Sequence, residues 1–220
     1  MNYREIDTAN WNRRTTYEWF RSFSNPCYGV TVDMDVTELV AFAKETGRSF
    51  FACMAWIVNE GMNEVEELRM RMLDGRPIVY DRIHPSYTVM TDAGMFVNCR
   101  HPMGDSLSEF CAISRRAVDA LKPGAQSVPD KSYNPENSWD EIYLTSVPWL
   151  TLDGMCHPIP DDPSSQSVPR VCFDRWREEN GRKKVHLNIT VSHVFVDGYP
   201  LCRAFAGIQE KLDNCRALYG

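Results

Sequence analysis

Residues 183–198 have the sequence KKVHLNITVSHVFVDG, which is the most informative stretch for the fold. From Val185 to Ser192, apolar side chains alternate with polar ones, so this pattern predicts a β-strand with one buried and one polar face. The same alternation places His193 on the apolar face and predicts an imidazole directed inward. The dipeptide at 180–181, Asn-Gly, favours a two-residue turn, so residues 171–178 are predicted to pair as an antiparallel strand.

Helical patterns flank this hairpin along the chain. The apolar residues after the turn predicted at Asp197-Gly198 recur at spacings of three and four, which indicates a final helix packed on the sheet. Other predicted helices span residues 10–23, follow Asp35, run from Ser49 to Met62, and follow Ser106. Short β-type runs between residues 69 and 100 are separated by glycine turns at 74–75 and 93–94. Long loops are predicted at 122–138 and 153–169. Together these elements predict an α/β fold with helices laid on a mixed sheet.

Composition indicates an ordinary globular protein. The chain has 220 residues, of which 43% are hydrophobic and 25% charged, so one domain over residues 1–220 is expected. No apolar run approaches the ~20 residues that a membrane-spanning helix needs. A net charge of −6 argues against nucleic acid or an anionic membrane as a partner. The first seven residues have no signal-peptide pattern, so a cytoplasmic protein is expected.

The eight cysteines are scattered through apolar surroundings, for example at Cys53, Cys99, Cys111 and Cys202. A chain of this size does not depend on disulfides, so reduced packing cysteines are expected. The sequence contains no Cys-x-x-Cys pair, and Cys156-His157 has no second pair at metal-ligand spacing. No metal site is predicted.

His193 has two interpretations from its position alone: a hydrogen-bonded core histidine or a catalytic base. The segment from His193 to Gly198 resembles the His-x-x-x-Asp-Gly signature of the chloramphenicol acetyltransferase family, which is related to the catalytic domains of dihydrolipoyl acyltransferases. Further landmarks of this family occur in the same order along nearly the whole chain: residues 10–13 (NWNR), 67–70 (ELRM), 79–81 (VYD), 87–89 (YTV), 135–137 (PEN) and 148–149 (PW).

The resemblance implies a two-layer α/β sandwich of helices on a mixed, largely antiparallel sheet, assembled as a homotrimer with active sites between subunits. It implies that His193 is the general base, which takes a proton from a substrate hydroxyl as the oxygen attacks the thioester of acetyl-CoA. Burial would favour the neutral imidazole that such a base requires. The resemblance also implies that Asp197 forms a structural ion pair with Arg13, and that both support the site together with Gly198.

The resemblance also implies which residues stabilise the oxyanion and bind the cofactor. The oxyanion donor of the family aligns with Thr145, which also contacts the cofactor, although the hydroxyl of the neighbouring Ser146 is an alternative. Trp176 matches an aromatic residue near coenzyme A, and Arg175 belongs to a basic group around the predicted hairpin that would meet its phosphates. The other members of that group are Arg177, Arg182, Lys183 and Lys184.

For the acceptor, four residues match apolar positions that enclose chloramphenicol in the family: Trp19, Phe20, Cys27 and Phe96. Ser192 and Cys172 depart from the family pattern, so two alternatives stay open: the same chemistry on another hydroxylated small molecule, and a non-catalytic trimeric binding protein. The core of a dihydrolipoyl acyltransferase complex is disfavoured, since no lipoyl-type domain or linker precedes residue 10.

Overall fold

The structure, a computed structural model, describes residues 2–123 and 139–220. The family landmark at 135–137 and most of the loop predicted at 122–138 lie outside these residues. Within the described ranges the strands are β1 (Tyr3–Glu5), β2 (Cys27–Asp35), β3 (Met70–Leu73), β4 (Arg76–Tyr80), β5 (His84–Met90), β6 (Phe96–Arg100), β7 (Glu141–Val147), β8 (Arg170–Asp174), β9 (Arg177–Glu179) and β10 (Arg182–Ser192). The helices are α1 (Arg14–Phe20), α2 (Thr37–Thr46), α3 (Phe50–Asn63), α4 (Leu107–Leu121), α5 (Pro163–Gln166), α6 (Gly198–Asp213) and α7 (Cys215–Tyr219), with a 3-10 helix at Glu66–Arg69.

The larger sheet is mixed and has the strand order β2-β10-β8-β7-β5-β6, with β9 paired to β10. Strand β7 is parallel to both β5 and β8, and the other neighbours are antiparallel. The smaller sheet, with the order β1-β4-β3, is antiparallel. The predicted α/β fold with a mixed, largely antiparallel sheet is therefore confirmed.

Helices cover one face of the larger sheet. Helices α2, α3, α4 and α6 pack against its strands, and the alternating apolar side chains of β10 lie beneath them, with Val185, Leu187 and Ile189 fully buried. Helix α3 is apolar around most of its circumference, and its residues from Ala52 to Val58 are all buried, as expected for an element enclosed on several sides. The opposite face carries mostly polar side chains and is crossed in part by the segment after β7.

The predicted hairpin turns are confirmed. Asp74 and Gly75, between β3 and β4, have φ values of 50° and 77°, and Asn180 and Gly181, between β9 and β10, have values of 52° and 76°. Two consecutive residues in the left-handed region match the right-handed twist of the flanking strands. Gly94, between β5 and β6, also has a positive φ of 76°.

Local capping explains where several helices begin. The Ser49 hydroxyl accepts a hydrogen bond from the Ala52 N–H, and the Ser106 hydroxyl accepts one from the Glu109 N–H at 3.2 Å. Asp35 is the last residue of β2 and directly precedes the N-cap residue of α2. Its carboxylate accepts a hydrogen bond from the Thr37 N–H at 2.9 Å, so it stabilises the start of α2. These side chains satisfy backbone donors that have no partner inside the helix.

Two predicted elements are shorter than expected. The helix predicted over residues 10–23 is limited to α1, and the strand predicted over 171–178 is divided into β8 and β9. The strand is interrupted because the Arg175 N–H bonds to the Leu150 carbonyl, while the Asp174 carboxylate accepts the His186 N–H. Among the described residues, no helix has both the length and the apolar character needed to cross a membrane.

Candidate active site

His193 lies directly after β10, at one end of the larger sheet. Its ring stacks on Phe20 with centroids 3.9 Å apart and planes 10° apart, and the Tyr28 ring lies 4.8 Å away. The side chain is 33% exposed, so the imidazole is directed inward only in part, less than the alternation predicted. The alternation holds only as far as Ser192, where β10 ends, and the ring of the next residue lies at the end of the sheet, beyond the buried side chains of β10.

The backbone after His193 forms a compact turn. The Ser192 carbonyl accepts the N–H groups of Phe195 and Val196 at 3.1 and 3.0 Å. The Tyr28 hydroxyl donates to the Val196 carbonyl at 3.2 Å, and burial, assisted by the Asp197 carboxylate, raises the pKa of Tyr28 to about 12. Tyr28 therefore stays a protonated donor at neutral pH and holds the turn that carries His193.

Gly198 has a different place from the one predicted. The turn lies at residues 193–195, and Gly198 is the first residue of α6. Its φ is not in the left-handed region, and, apart from its chain neighbours and the backbone of its own helix, no atom of the described residues lies within 4 Å of the position that a Cβ would occupy. Nothing in the described part of the chain therefore explains the glycine.

Arg13 and Asp197 form a two-pronged ion pair. The guanidinium Nη1 donates to Asp197 Oδ2, and Nη2 donates to Oδ1 at 3.1 Å. His193 Nδ1 lies 3.1 Å from Asp197 Oδ1, but the two form no hydrogen bond, and within the described part of the chain this buried nitrogen has no hydrogen-bond partner. Both carboxylate oxygens are thus bound by arginine, which differs from a triad in which the aspartate accepts the imidazole N–H.

We expect Arg13→Ala to lower the free energy of unfolding by about 1–3 kcal/mol, because it leaves a half-buried carboxylate without its two charge-assisted hydrogen bonds. Arg14→Ala is the matched control, since its ion pair with Glu18 is more than half exposed on both sides. Such exposed pairs contribute little, so we expect a change within about 0.5 kcal/mol. Urea denaturation of both variants measures the difference, and equal losses would contradict a structural role for the pair with Asp197.

An apolar cavity of about 380 Å³ lies near the other end of the strands. Its walls come from the start of α3, from α4, and from strands β5, β7 and β8 with the residues that follow them. The lining residues are Phe50, Phe51, Tyr87, Thr88, Val89, Val118, Ser146, Pro148, Phe173, Asp174, Arg175 and Trp176. The break between β8 and β9 brings Arg175 and Trp176 to this cavity.

Most of the predicted basic group is paired with carboxylates. Arg177 and Lys184 pair with Asp33, and Arg182 pairs with Asp35. Lys183 instead lies over the Trp176 ring, with its Nζ 5.8 Å from the ring centroid. Within this group, Arg175 lines the cavity and Lys183 lies over Trp176, which also lines it.

The two candidate oxyanion donors lie on opposite faces of the sheet, because successive side chains of a strand alternate. Ser146 lines the cavity on the helix-covered face. Thr145 is not among the described lining residues; it is level with Cys172 of β8 and shares the polar face with it. Its side chain is partly exposed.

Several predicted site residues are far apart within one chain. Thr145 on β7 and Asn188 on β10 are both level with Cys172 on β8. His193 is therefore five residues beyond the level of Thr145, on a strand that lies two positions away in the sheet. At about 3.3 Å per residue and about 4.8 Å per strand, the two backbones are roughly 19 Å apart. Phe96 is further still, on edge strand β6, whereas Cys27 pairs with Ser192 and so lies near His193.

An aromatic group lies beside His193. Trp19, Phe20 and Phe23 have ring centroids 4.9–5.8 Å apart, and Trp19 is 61% exposed. The structure therefore brings Trp19, Phe20 and Cys27 to the His193 end, and brings Arg175 and Trp176 to the cavity end. The sequence did not indicate Tyr28, Phe50, Phe51 or Val118, since each looks like an ordinary core residue without its tertiary neighbours.

A buried pair next to the cavity was also missed. The Asp174 carboxylate, which is almost completely buried, accepts hydrogen bonds from the His186 and Leu152 N–H groups at 2.8 Å, and lies 2.7 Å from His186 Nδ1. It thereby ties the segment after β7 to β10. Only the alternation of β10, which places His186 on the polar face, hinted at this contact.

The fold resembles solved acetyltransferase structures. A structure titled chloramphenicol acetyltransferase matches with a TM-score of 0.89 at 24% identity, covering 96% of this chain and all of the other. A catalytic core of the 2-oxoacid dehydrogenase complex from Thermoplasma acidophilum matches with a TM-score of 0.65 at 19% identity, covering 96% and 99%. Dihydrolipoamide acetyltransferase of Azotobacter vinelandii matches with a TM-score of 0.63 at 18% identity, covering 93% and 88%. The fold is therefore that of this class of acyltransferase domains.

The sequence comparisons are more specific. The family model described as chloramphenicol acetyltransferase matches residues 1–209. Chloramphenicol acetyltransferase 3 of Escherichia coli is 25% identical over 218 residues, covering 97% of this chain and 99% of the relative, and the enzyme of Vibrio anguillarum is 27% identical over 222 residues, covering 97% and 96%. The chain belongs to the chloramphenicol acetyltransferase family, as its landmarks predicted, and this membership indicates an acetyltransferase.

Proposed function

We propose that this protein transfers the acetyl group of acetyl-CoA directly to a hydroxyl of chloramphenicol, with His193 as the general base. The observation that carries the proposal is the setting of His193: a partly exposed imidazole stacked on Phe20, in a chain that belongs to this family. Since Nδ1 is buried beside Asp197, Nε2 is the ring nitrogen that accepts the proton. Resistance to chloramphenicol in the cytoplasm is the expected consequence.

The reaction needs no acyl-enzyme. As Nε2 takes the hydroxyl proton, the acceptor oxygen attacks the thioester carbonyl and forms a tetrahedral intermediate. The hydroxyl of Thr145 donates a hydrogen bond to the resulting oxyanion. When the carbon–sulfur bond breaks, the sulfur of coenzyme A leaves and takes the proton back from His193.

Under this proposal, the pantetheine chain of acetyl-CoA lies in the apolar cavity, and its acetyl end passes the ends of the strands to reach Thr145 on the polar face. Phe50, Phe51 and Phe173 provide an apolar wall suited to the pantetheine chain. Trp176 lies at the mouth with Lys183 over its ring, and Arg175 also lines the cavity, so that the phosphates meet positive charge outside the apolar part. Ser146 contacts the cofactor from the helix-covered face.

The active site is shared between subunits of a homotrimer under this proposal, each subunit being one domain over residues 1–220. The separation of roughly 19 Å between His193 and Thr145 supports it, because the two groups must hydrogen-bond to oxygen atoms that are attached to the same reacting carbon. Exposed aromatic residues near His193, such as Trp19, and Phe96 at the other edge of the sheet are then brought together around the acceptor.

The direct test mixes the protein, acetyl-CoA and chloramphenicol and follows release of free thiol, with acetylated chloramphenicol identified by mass spectrometry. We expect release that depends on both substrates. Transfer to other alcohols without transfer to chloramphenicol would overturn the acceptor assignment, and the departures at Ser192 and Cys172 motivate that comparison. Binding of both ligands without any thiol release would instead indicate a non-catalytic binding protein.

Mixed trimers test the shared site. When His193→Ala and Thr145→Ala subunits assemble at random in equal amounts, a site shared between neighbours contains both native residues in about one quarter of cases. We therefore expect co-expressed, differently tagged subunits to show about one quarter of the wild-type activity per site, far above either variant alone. Activity no higher than the mean of the two pure variants would show that one chain provides both residues.

A further inference from the structure

The carboxylate of Asp174 joins two segments of the chain beside the apolar cavity. Its side chain is buried and accepts three hydrogen bonds: from the Leu152 N–H at 2.8 Å, from the His186 N–H at 2.8 Å and from His186 Nδ1 at 2.7 Å. A buried carboxylate is stable only when donors replace its lost hydration. Asp174 obtains these donors from β10 on one side and from the segment after β7 on the other.

The imidazole of His186 is held in one orientation by this contact. A carboxylate only accepts hydrogen bonds, so Nδ1 carries the proton that it donates to Asp174. The guanidinium of Arg177 lies 3.4 Å from Nδ1, but it has only donors and is bound by Asp33 at 2.6 Å. The His186 side chain is 19% exposed, so the ring lies closer to the solvent than the carboxylate that it binds.

Three residues that line the cavity depend on the position of the segment after β7. The chain turns there, and the Leu150 carbonyl accepts the Arg175 N–H at 3.2 Å. Pro148 lies in the same turn, while Arg175 and Trp176 directly follow Asp174. Pro148, Arg175 and Trp176 together form one wall of the cavity. The hydrogen bonds to Asp174 therefore fix both parts of this wall.

We propose that His186 is a positioning residue for the cofactor: by donating to Asp174, it keeps the segment after β7 attached to β8 and holds this wall in the form that binds coenzyme A. The inference rests on the proposed function, because it takes the cavity as the cofactor site. Only molecules in which the wall is formed can bind, so a segment that detaches more often weakens the apparent affinity.

The effect should appear in affinity and not in the chemical step. Hydrogen bonds to an ionised group are stronger than neutral ones, so loss of the bond from Nδ1 shifts the local equilibrium toward a detached segment by roughly tenfold. The hydrogen bonds of Asp174 involve neither His193 nor Thr145. Molecules that have bound acetyl-CoA therefore keep the groups proposed for catalysis.

Coenzyme A binding measures this effect directly. In His186→Leu, which deletes the donor, we expect the Kd of coenzyme A in isothermal titration calorimetry to rise about tenfold. In His186→Asn the side-chain amide reaches the place of Nδ1 and donates to the same carboxylate, so the Kd should return to within about twofold of the wild-type value. In steady-state assays His186→Leu should raise the KM for acetyl-CoA and leave kcat nearly unchanged.

Hydrogen exchange tests the same contact without any ligand. The Leu152 amide donates to Asp174 in the folded protein, so His186→Leu should speed its exchange by about tenfold. The amide of Ile189, in the buried middle of β10, should keep its protection, because the sheet itself is unchanged.

Asn63→Ala is the matched control for a general loss of stability. Asn63 also bridges two elements, since its Oδ1 accepts the Ile83 N–H at 2.9 Å and its Nδ2 donates to the Ile83 carbonyl at 3.0 Å. It is the last residue of α3, whereas Phe50 and Phe51 line the cavity from the start of that helix. Its loss should lower the free energy of unfolding without changing the Kd of coenzyme A.

Several outcomes would overturn the inference. One is a folded His186→Leu protein that binds coenzyme A as tightly as the wild type. Another is an equal loss of affinity in His186→Asn or in Asn63→Ala, which would show that the donor at Nδ1 is not the cause. An unprotected Leu152 amide in the wild-type protein would overturn it without any variant, whether or not His186→Leu folds. A wild-type protein that does not bind coenzyme A would overturn the proposed function, and this inference with it.

Discussion

Replacing His193 by alanine is expected to lower kcat for acetyl transfer to chloramphenicol by about 10²–10⁴-fold, the usual contribution of a positioned general base. An alcohol is a weak nucleophile at neutral pH, and without the imidazole its proton has no acceptor in the transition state. The KM for acetyl-CoA should change little, because the cavity proposed for it is lined by residues at the opposite end of the strands. Steady-state thiol release measures both constants.

A matched control separates loss of the base from loss of packing. His84→Ala removes another partly buried histidine, which lies on β5 and whose Nδ1 accepts a hydrogen bond from the Met103 N–H at 3.2 Å. His84 is not part of the aromatic group beside His193 and does not line the apolar cavity. It should retain kcat even if its free energy of unfolding falls. Equal rates for His193→Ala and the wild-type protein, with both folded by circular dichroism, would remove His193 from the mechanism.

Removing the hydroxyl of Thr145 is expected to have the second largest effect. Thr145→Val keeps the shape of the side chain but deletes the donor, and loss of one oxyanion donor lowers kcat by about 10²–10³-fold. Thr145→Ser, which restores the hydroxyl on a less restricted side chain, should recover most of the rate. The wild-type protein and the two variants are compared at saturating concentrations of both substrates.

Ser146→Ala is the comparison that decides between the two hydroxyls. Because Ser146 lines the cavity on the helix-covered face, its loss should affect the KM for acetyl-CoA more than kcat. If Ser146→Ala lowered kcat about a hundredfold while Thr145→Val stayed near the wild-type rate, the donor would be Ser146. Thr145 would then have no role in the chemical step.

Local features of the fold were predictable because the forces that specify them act over a few residues. The turns at Asp74-Gly75 and Asn180-Gly181 follow from the tolerance of these residues for positive φ. The caps at Ser49 and Ser106 follow from a hydroxyl that reaches the N–H three residues ahead. The alternation in β10 likewise predicted a strand with one buried face. Boundaries were less predictable, as the division between β8 and β9 shows, because it depends on Leu150 and His186 from elsewhere in the chain.

The candidate site was only partly predictable. The family resemblance predicted site roles for His193, Arg13 and Asp197 from the sequence, and the structure contains the ion pair between the last two. Residue spacing along the chain carries no information about how far His193 lies from Thr145, or that the imidazole is one-third exposed. Those quantities depend on the order of strands in the sheet and on where β10 ends.

The sequence by itself therefore determined most of the secondary structure, the hairpin turns and the family, since periodicity, backbone preference and motif are properties of neighbouring residues. Only the tertiary structure decided how distant residues are placed: the cavity walls contributed by Phe51 and Val118, and the separation between His193 and Thr145. The physical reason is that such contacts arise from packing of whole helices against the sheet, where many weak interactions between residues far apart in the chain act together.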